Sequence, residues 1–487
     1  MKGESTTRSV AGLQSPEPGQ QTPPPVTPGS SVGGLAATQT IVAPAGTALG
    51  RVRWIVAAAI VAIAALIGVR LWLITGLVRT VRIDGPSMAP AWLGGHYRVA
   101  CDDCGLALAC DGERPPADEL AQCPNCGFRD NRLLPELLVP GQRVVIDRWP
   151  LVFRGARRGE VVAAADPDQP GGFVVKRACG LPGERLAIRG GDLYADGRLV
   201  RKSLRELDAV RILVYDNRHR PRQTAGLPPR WQSTRRGSGW HAAMDGFRYE
   251  PPAAHAADPQ LDWLEYQHWL MFASHSRTRL SPVLDTDSYN QADPRQQNAV
   301  PDVLLSCRLR ARGSGRFALA AIDGPQRFEV VLDPAARTVV LTADARAVLQ
   351  KDLATNFADR GVRVEFGLCD QQVFLSLAGR EIFRHEYERP PGSPREQLHP
   401  LAIGSGGASL EATDLCIWRD IYYLAPGGLS VDWEAESPLP PGCYALLGDN
   451  TTVSTDSRQW TGGVPASQIL GRIYQPFWLA SDKSDSP

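Results

Sequence analysis

Three short segments, far apart in the chain, carry the residue types that nucleophilic catalysis needs. In the first, Ile83-Asp84-Gly85-Pro86-Ser87-Met88-Ala89-Pro90, two prolines forbid long regular helix and hold the Ser87 hydroxyl in a tight loop. Taken alone, such a serine is an ordinary solvated turn residue; it becomes a nucleophile only beside a base. The second segment, residues 172–184, is an apolar strand-like run holding Lys176, followed by the turn Gly180-Leu181-Pro182-Gly183. A lysine there has two readings. On an edge strand its charge blocks aggregation; in a buried strand, desolvation lowers its pKa from about 10.4 towards neutrality and makes the amine a general base. The third segment, residues 448–458, is a polar loop after the strand-like run Cys443–Leu447 and concentrates Asp449, Ser454, Asp456 and Arg458. The eight histidines form no His-Glu-x-x-His pattern, so a helical zinc-protease site is not spelled out.

The elements that must position these groups begin with length. A chain of 487 residues exceeds one core and implies about three folded units with linkers. With 53 Lys+Arg against 52 Asp+Glu the net charge is +1, which leaves no basic excess for sequence-independent nucleic-acid binding, and no nucleic-acid partner is expected. Residues 1–50, rich in Pro, Gly, Ser and Thr, read as a disordered tail. Residues 51–78 read as a single transmembrane helix: positions 54–78 are apolar or Gly apart from Arg70 and Thr75, and 25 helical residues reach about 37 Å, enough for a hydrocarbon layer of about 30 Å. A cleaved secretory signal would need a short basic leader in place of that tail. Arg51 and Arg53 on one flank balance Arg79 and Arg82 on the other, so charge does not orient the span.

Between the first two segments stand Cys101-x2-Cys104 and, after 18 residues, Cys123-x2-Cys126. This is zinc-ribbon spacing, placed at 98–130, in which four thiolates make a closed structural site; two disulfides are the alternative in an oxidising compartment. The acidic neighbours Asp102, Asp103, Asp118 and Glu119 favour a structural or docking role. The other six cysteines show no pair spacing and read as small buried residues. Residues 205–425 read as an inserted all-β sandwich, with short alternating strands from Val303 on and a turn at Ala378-Gly379. Trp240, Trp263 and Trp269 are core residues or platforms that stack on sugars.

Together the three chemical segments resemble the type I signal peptidases. The family's Ser-Met-x-Pro box matches Ser87 to Pro90, its Lys-Arg box with Gly-Leu-Pro-Gly matches Lys176 to Gly183, and its Gly-Asp-Asn-x-x-x-Ser-x-Asp-Ser-Arg box matches Gly448 to Arg458. A weaker box covers Gly141 to Arg148. The resemblance implies a mainly β fold: a catalytic β domain split into 79–204 and 426–480, interrupted by the ribbon and by a sandwich whose final strand resembles concanavalin-like lectin and glucanase folds. It further implies Ser87 as nucleophile and Lys176 as base of a Ser-Lys dyad, with no cofactor for catalysis. Ser454 would orient the amine, Arg177, Asp449, Asp456 and Arg458 would form the ionic scaffold, and the Ser87 N–H would bind the oxyanion. Gly85 stands where some members place a second oxyanion donor, Ala91 replaces the usual Thr, and Gln142 and Arg148 replace the usual Asp and Lys of the weaker box. The implied activity is removal of signal peptides from exported preproteins after Ala-x-Ala, by an enzyme anchored in the cell membrane with a cytoplasmic N-terminus and its site on the outer side. The lipid bilayer and the secretion translocon are the implied partners. The alternatives are a surface protein whose sandwich binds glycan or protein on an inactive peptidase scaffold, and a peptidase restricted to particular precursors.

Overall fold

The computed structural model describes residues 46–74, 77–222, 227–252, 260–271 and 278–476. It is mainly β, as the strand patterning requires. One helix, Gly46–Ile74, is long and apolar enough over Val52–Arg70 to cross a membrane, and its side chains are exposed along that stretch. The expected tail lies outside the described residues up to position 45, and positions 46–50 belong to the helix. The expected span to Val78 ends early: the helix stops at Ile74, and Val78 opens a strand, where its backbone pairs with Asp147.

The remainder, from Gly68 on, is built on two central features. The first is an antiparallel seven-stranded sheet in the order Val78–Arg82, Arg143–Asp147, Ile469–Tyr474, Val161–Ala165, Phe173–Gly180, Cys443–Leu447, Val464–Pro465. Strands from both ends of the sequence interleave, so residues 443–447 lie beside 173–180. That neighbour removes the edge-strand reading of Lys176, because its strand is flanked on both sides and buried. The box at 141–148 forms the second strand of this sheet. It also clamps the loop around Ser87: Ile83 N–H donates to Gln142 O (3.0 Å), and Leu93 N–H donates to Gln142 Oε1 (3.1 Å). Gly141 permits this approach, since a Cβ there would lie 1.8 Å from Ile83 O.

The second feature is a pair of facing antiparallel sheets. One carries Trp240–Ala242, Gly246–Tyr249, Ser409–Arg419, Val303–Arg312, Val362–Cys369, Gln372–Leu377 and Arg380–Glu386 in that order, with Ile212–Asp216 pairing on Ser409–Arg419. The other carries Trp231–Ser233, Asp262–Tyr266, Leu401–Gly406, Arg316–Asp323, Gln326–Asp333, Thr338–Ala343 and Arg346–Asp352. Leu305, Leu309, Val364 and Phe366 of one sheet share a core with Phe317, Leu319, Val330 and Ile403 of the other, which makes a sandwich. Its strands begin well before Val303, and the expected final strand ends at Arg419, so residues 420–423 continue without strand structure. The turn at Ala378-Gly379 is as expected, with φ of 51° and 78°. Trp240 and Trp269 are buried, Trp269 under the Arg230 guanidinium and Trp240 donating through Nε1 to Asp262 O. Neither offers a ring face to sugar; Trp263 is half-buried, with Arg327 over its ring. Lys202, before the sandwich, pairs with Asp370 (2.7 Å) and Asp420 (2.8 Å) and ties it to the chain just after Arg198–Leu199, a strand of a separate four-stranded sheet.

Candidate functional site

Lys176 is 3% exposed, and its Nζ donates to Ser454 Oγ at 2.9 Å across 278 residues of sequence. Burial is the largest influence on the amine and pulls its pKa down to about 8; Asp456 opposes that pull and Arg458 adds to it. The strand pairing explains the contact: Leu447 pairs with Arg177, so the loop that follows Leu447 leaves beside Lys176.

That loop is held by one ion pair within it and by another to the strand Phe173–Gly180. Asp456 accepts from Arg458 Nε (2.8 Å) and Nη2 (2.7 Å) and from Gly448 N–H (2.9 Å), all buried. Arg458 Nη1 donates to Thr451 O (2.9 Å), so one guanidinium closes the loop on itself. Asp449 takes a bidentate pair from Arg177, Nε at 2.7 Å and Nη2 at 2.6 Å.

The same loop meets Ser87. Asn450 N–H donates to Ser87 O (3.0 Å), and Asn450 Nδ2 donates to Pro86 O (3.1 Å). Ser87 sits in a 3-10 turn, Pro86–Met88, anchored by Met88 in a core shared with Val144, Ile146 and Val175. Among the described residues the Ser87 hydroxyl makes no protein hydrogen bond; the lysine and the serine are gathered through the loop they both touch. Gly448 is where the loop's Ser454 and the Ser87 backbone meet: a Cβ would stand 2.2 Å from Ser454 Oγ and 2.5 Å from Ser87 O. If Ser87 and Lys176 react, Gly448→Ala is expected to lower turnover at least tenfold, with urea denaturation showing a smaller change in stability, because the displaced atoms are the Ser87 carbonyl and the hydroxyl that holds Lys176. Gly85 is extended (φ −84°), and a Cβ there meets nothing within 4 Å, so this position offers backbone only.

Cys101, Cys104, Cys123 and Cys126 form a buried cluster with all four Sγ atoms within 4.8 Å of one another. Cys101 and Cys126 are 3.6 Å apart, as are Cys104 and Cys123, far beyond an S–S bond of about 2.05 Å. Four sulfurs at about 2.3 Å from a tetrahedral zinc stand about 3.8 Å apart, which these distances approach. Each pair sits on the same turn. Cys101 N–H donates to Leu106 O and Gly105 N–H to Cys101 O; Cys123 N–H donates to Phe128 O and Gly127 N–H to Cys123 O. Gly105 (φ 74°) and Gly127 (φ 78°) take the left-handed conformation that closes each turn. Gly105 is a signal the sequence offered, since the Cys-x2-Cys-Gly unit occurs twice. The remaining six cysteines are free thiols, buried except for half-buried Cys443.

A mainly β chain with a buried lysine, two serines and an ionic scaffold on one loop is thus the class the geometry defines. A family model described as signal peptidase, peptidase S26, matches residues 51–234 and 428–478, just under half of the chain, and supports that family. The two matched stretches lie on either side of most of the sandwich, the first running into its strands Ile212–Asp216 and Trp231–Ser233. Among solved structures, a carbohydrate-binding module from Bacillus subtilis is similar at 8% identity, covering 39% of this chain and 95% of its own, with a TM-score of 0.26. A galectin from Caenorhabditis elegans is similar at 13% identity, covering 23% and 81%, with a TM-score of 0.19. At these scores the sandwich rests on its own strands and core.

Proposed function

We propose that this chain is a membrane-anchored serine endopeptidase of the signal peptidase type, cleaving exported preproteins after Ala-x-Ala with a Ser87–Lys176 dyad. The observation that carries the reading is the desolvated Lys176 amine, oriented by Ser454 on the loop that also grips Ser87. Neutral Lys176 takes the Ser87 proton as Oγ attacks the scissile carbonyl. The Ser87 N–H, at the start of a helical turn and without an intrahelical partner, donates to the oxyanion. The lysine ammonium then gives its proton to the leaving amine, the acyl bond to Ser87 Oγ remains, and a water deprotonated by Lys176 hydrolyses it. The apolar helix supplies the anchor, and the N-terminus is assigned to the cytoplasmic side so that the site faces exported chains.

The expected pH dependence follows from the lysine. With a folded pKa of about 8, about a tenth of the amine is neutral at pH 7. Log kcat/KM therefore rises with unit slope up to about pH 8 and then levels. A profile flat from pH 6 to 10, or one limited by a group near 6, would remove Lys176 as base.

The four-cysteine cluster is assigned as a structural zinc site, holding its two turns together and taking no part in the chemistry. Its sulfur spacing fits that ion, and so does its charge. Arg230, 8% exposed, has no carboxylate partner among the described residues and donates through Nη2 to Asn125 O, inside the second turn (3.1 Å). Four thiolates around a divalent cation carry a net charge of about −2, the counter-charge this guanidinium otherwise lacks. Purified protein is expected to hold one zinc per chain by elemental analysis, with Cys123→Ser reducing it to trace levels; metal-free protein with two disulfides would contradict the assignment.

A further inference from the structure

Ser87 is supported by a group from outside the seven-stranded part. Asn290, in the irregular segment 285–298 on the sandwich side, forms a reciprocal amide pair with Asn450: its Nδ2 donates to Asn450 Oδ1 (2.8 Å), and Asn450 Nδ2 donates to Asn290 Oδ1 (2.9 Å). Asn450 is 2% exposed and is the residue whose N–H and Nδ2 hold the carbonyls of Ser87 and Pro86. Asn290 is fixed in turn. Asp287 Oδ1 accepts from the backbone N–H groups of Tyr289 (2.8 Å) and Asn290 (2.9 Å), and Asp287 Oδ2 accepts from Asn290 Nδ2 (3.2 Å).

The two neighbours of Asn290 anchor the segment on the cysteine-bearing region. Tyr289, 1% exposed, accepts through its carbonyl from Asp111 N–H (3.0 Å). Gln291 Oε1 accepts from Gln122 N–H (2.6 Å), and Gln291 Nε2 donates to Gln122 O (3.0 Å), one residue before Cys123. Three consecutive residues thus join the cysteine-bearing region to the 448–458 loop that holds Ser87.

We infer that residues 287–291 form a strap in which Asn290 is a positioning residue for the nucleophile, acting through Asn450, so that the sandwich side of the chain helps set the geometry of the peptidase site. This rests on the peptidase reading of that site. Without Asn290, the Asn450 side chain loses both bonds of the reciprocal pair, and Ser87 and Pro86 lose the rigidity of their support rather than any reacting group.

The test compares full-length, detergent-solubilised wild type with Asn290→Ala in two measurements. In hydrogen exchange, the peptide covering 448–454 is expected to exchange about tenfold faster in the variant, while peptides covering 303–312 and 362–369 are unchanged, which shows an intact sandwich. In cleavage of an Ala-x-Ala preprotein, kcat is expected to fall at least about tenfold with KM within about twofold, and the pH limb of Lys176 is expected to stay in place. Unchanged exchange at 448–454 overturns the strap whether or not the protein cleaves anything. Faster exchange with wild-type kcat overturns its role in turnover. A wild type that cleaves nothing defeats the peptidase reading, and the exchange arm still decides the strap.

Discussion

Replacing Lys176 by Met is expected to abolish cleavage and, in the same protein, to raise the stability of the fold. Loss of the base that activates a serine nucleophile lowers kcat by about 10⁶-fold, and combining it with Ser87→Ala costs little more, because both act in one step. The stability gain follows from the direction of the pKa shift. Burial lowers the folded value from 10.5 to about 8, so the folded state disfavours the ammonium. Below pH 8 the lysine is charged in both states and the penalty is fully present, about 3 kcal/mol at 1.36 kcal/mol per unit. Between pH 8 and 10.5 the unfolded chain binds more protons, so wild-type stability rises with pH. Met carries no charge and removes the penalty, offset by the lost bond to Ser454 worth about 1 kcal/mol. Urea denaturation is expected to show Lys176→Met more stable by about 1 to 2 kcal/mol at pH 7, without the rise above pH 8. A variant destabilised at pH 7 would mean the amine is a structural cation.

Asp449→Ala is expected to have the largest effect on stability. It leaves the Arg177 guanidinium buried, with the carbonyls of Gly159 (2.7 Å) and Ala209 (3.5 Å) as its remaining hydrogen-bond partners among the described residues. Stranding a buried charge costs about 3 to 5 kcal/mol. The double variant Arg177→Met/Asp449→Leu, which removes both charges, is expected to recover most of that stability by denaturant titration and little of the activity, because the loop carrying Ser454 loses its tether. If Asp449→Ala costs under about 1 kcal/mol, the pair is solvated and the scaffold role fails.

The candidate groups were legible because side chains are named by type: Ser87 between prolines, Lys176 in an apolar run, and a loop dense in Asp, Ser and Arg. Their meeting was not, since the strand Cys443–Leu447 reaches Lys176 from the far side of the sandwich and no local pattern encodes that pairing. For the same reason, the edge-strand reading of Lys176 could be dismissed only once its neighbour was seen. The two cysteine turns were legible from spacing, and the repeated Gly105 and Gly127 would have strengthened them. The helix was expected to run to Val78 because apolar residues resume after Thr75 and Gly76, and hydropathy alone does not separate a lipid-facing residue from one that opens a strand. Asn290 was invisible: a stretch of Asp, Asn and Gln without periodicity reads as solvated loop, and its value lies in a partner 160 residues away.

The most direct test is cleavage of a preprotein bearing an Ala-x-Ala site by detergent-solubilised wild type and Ser87→Ala, with the product N-terminus determined by mass spectrometry. The peptidase account predicts one cut, immediately after the second Ala, made by wild type and absent from Ser87→Ala. No cut by folded wild type, or the same cut by both proteins, would contradict it.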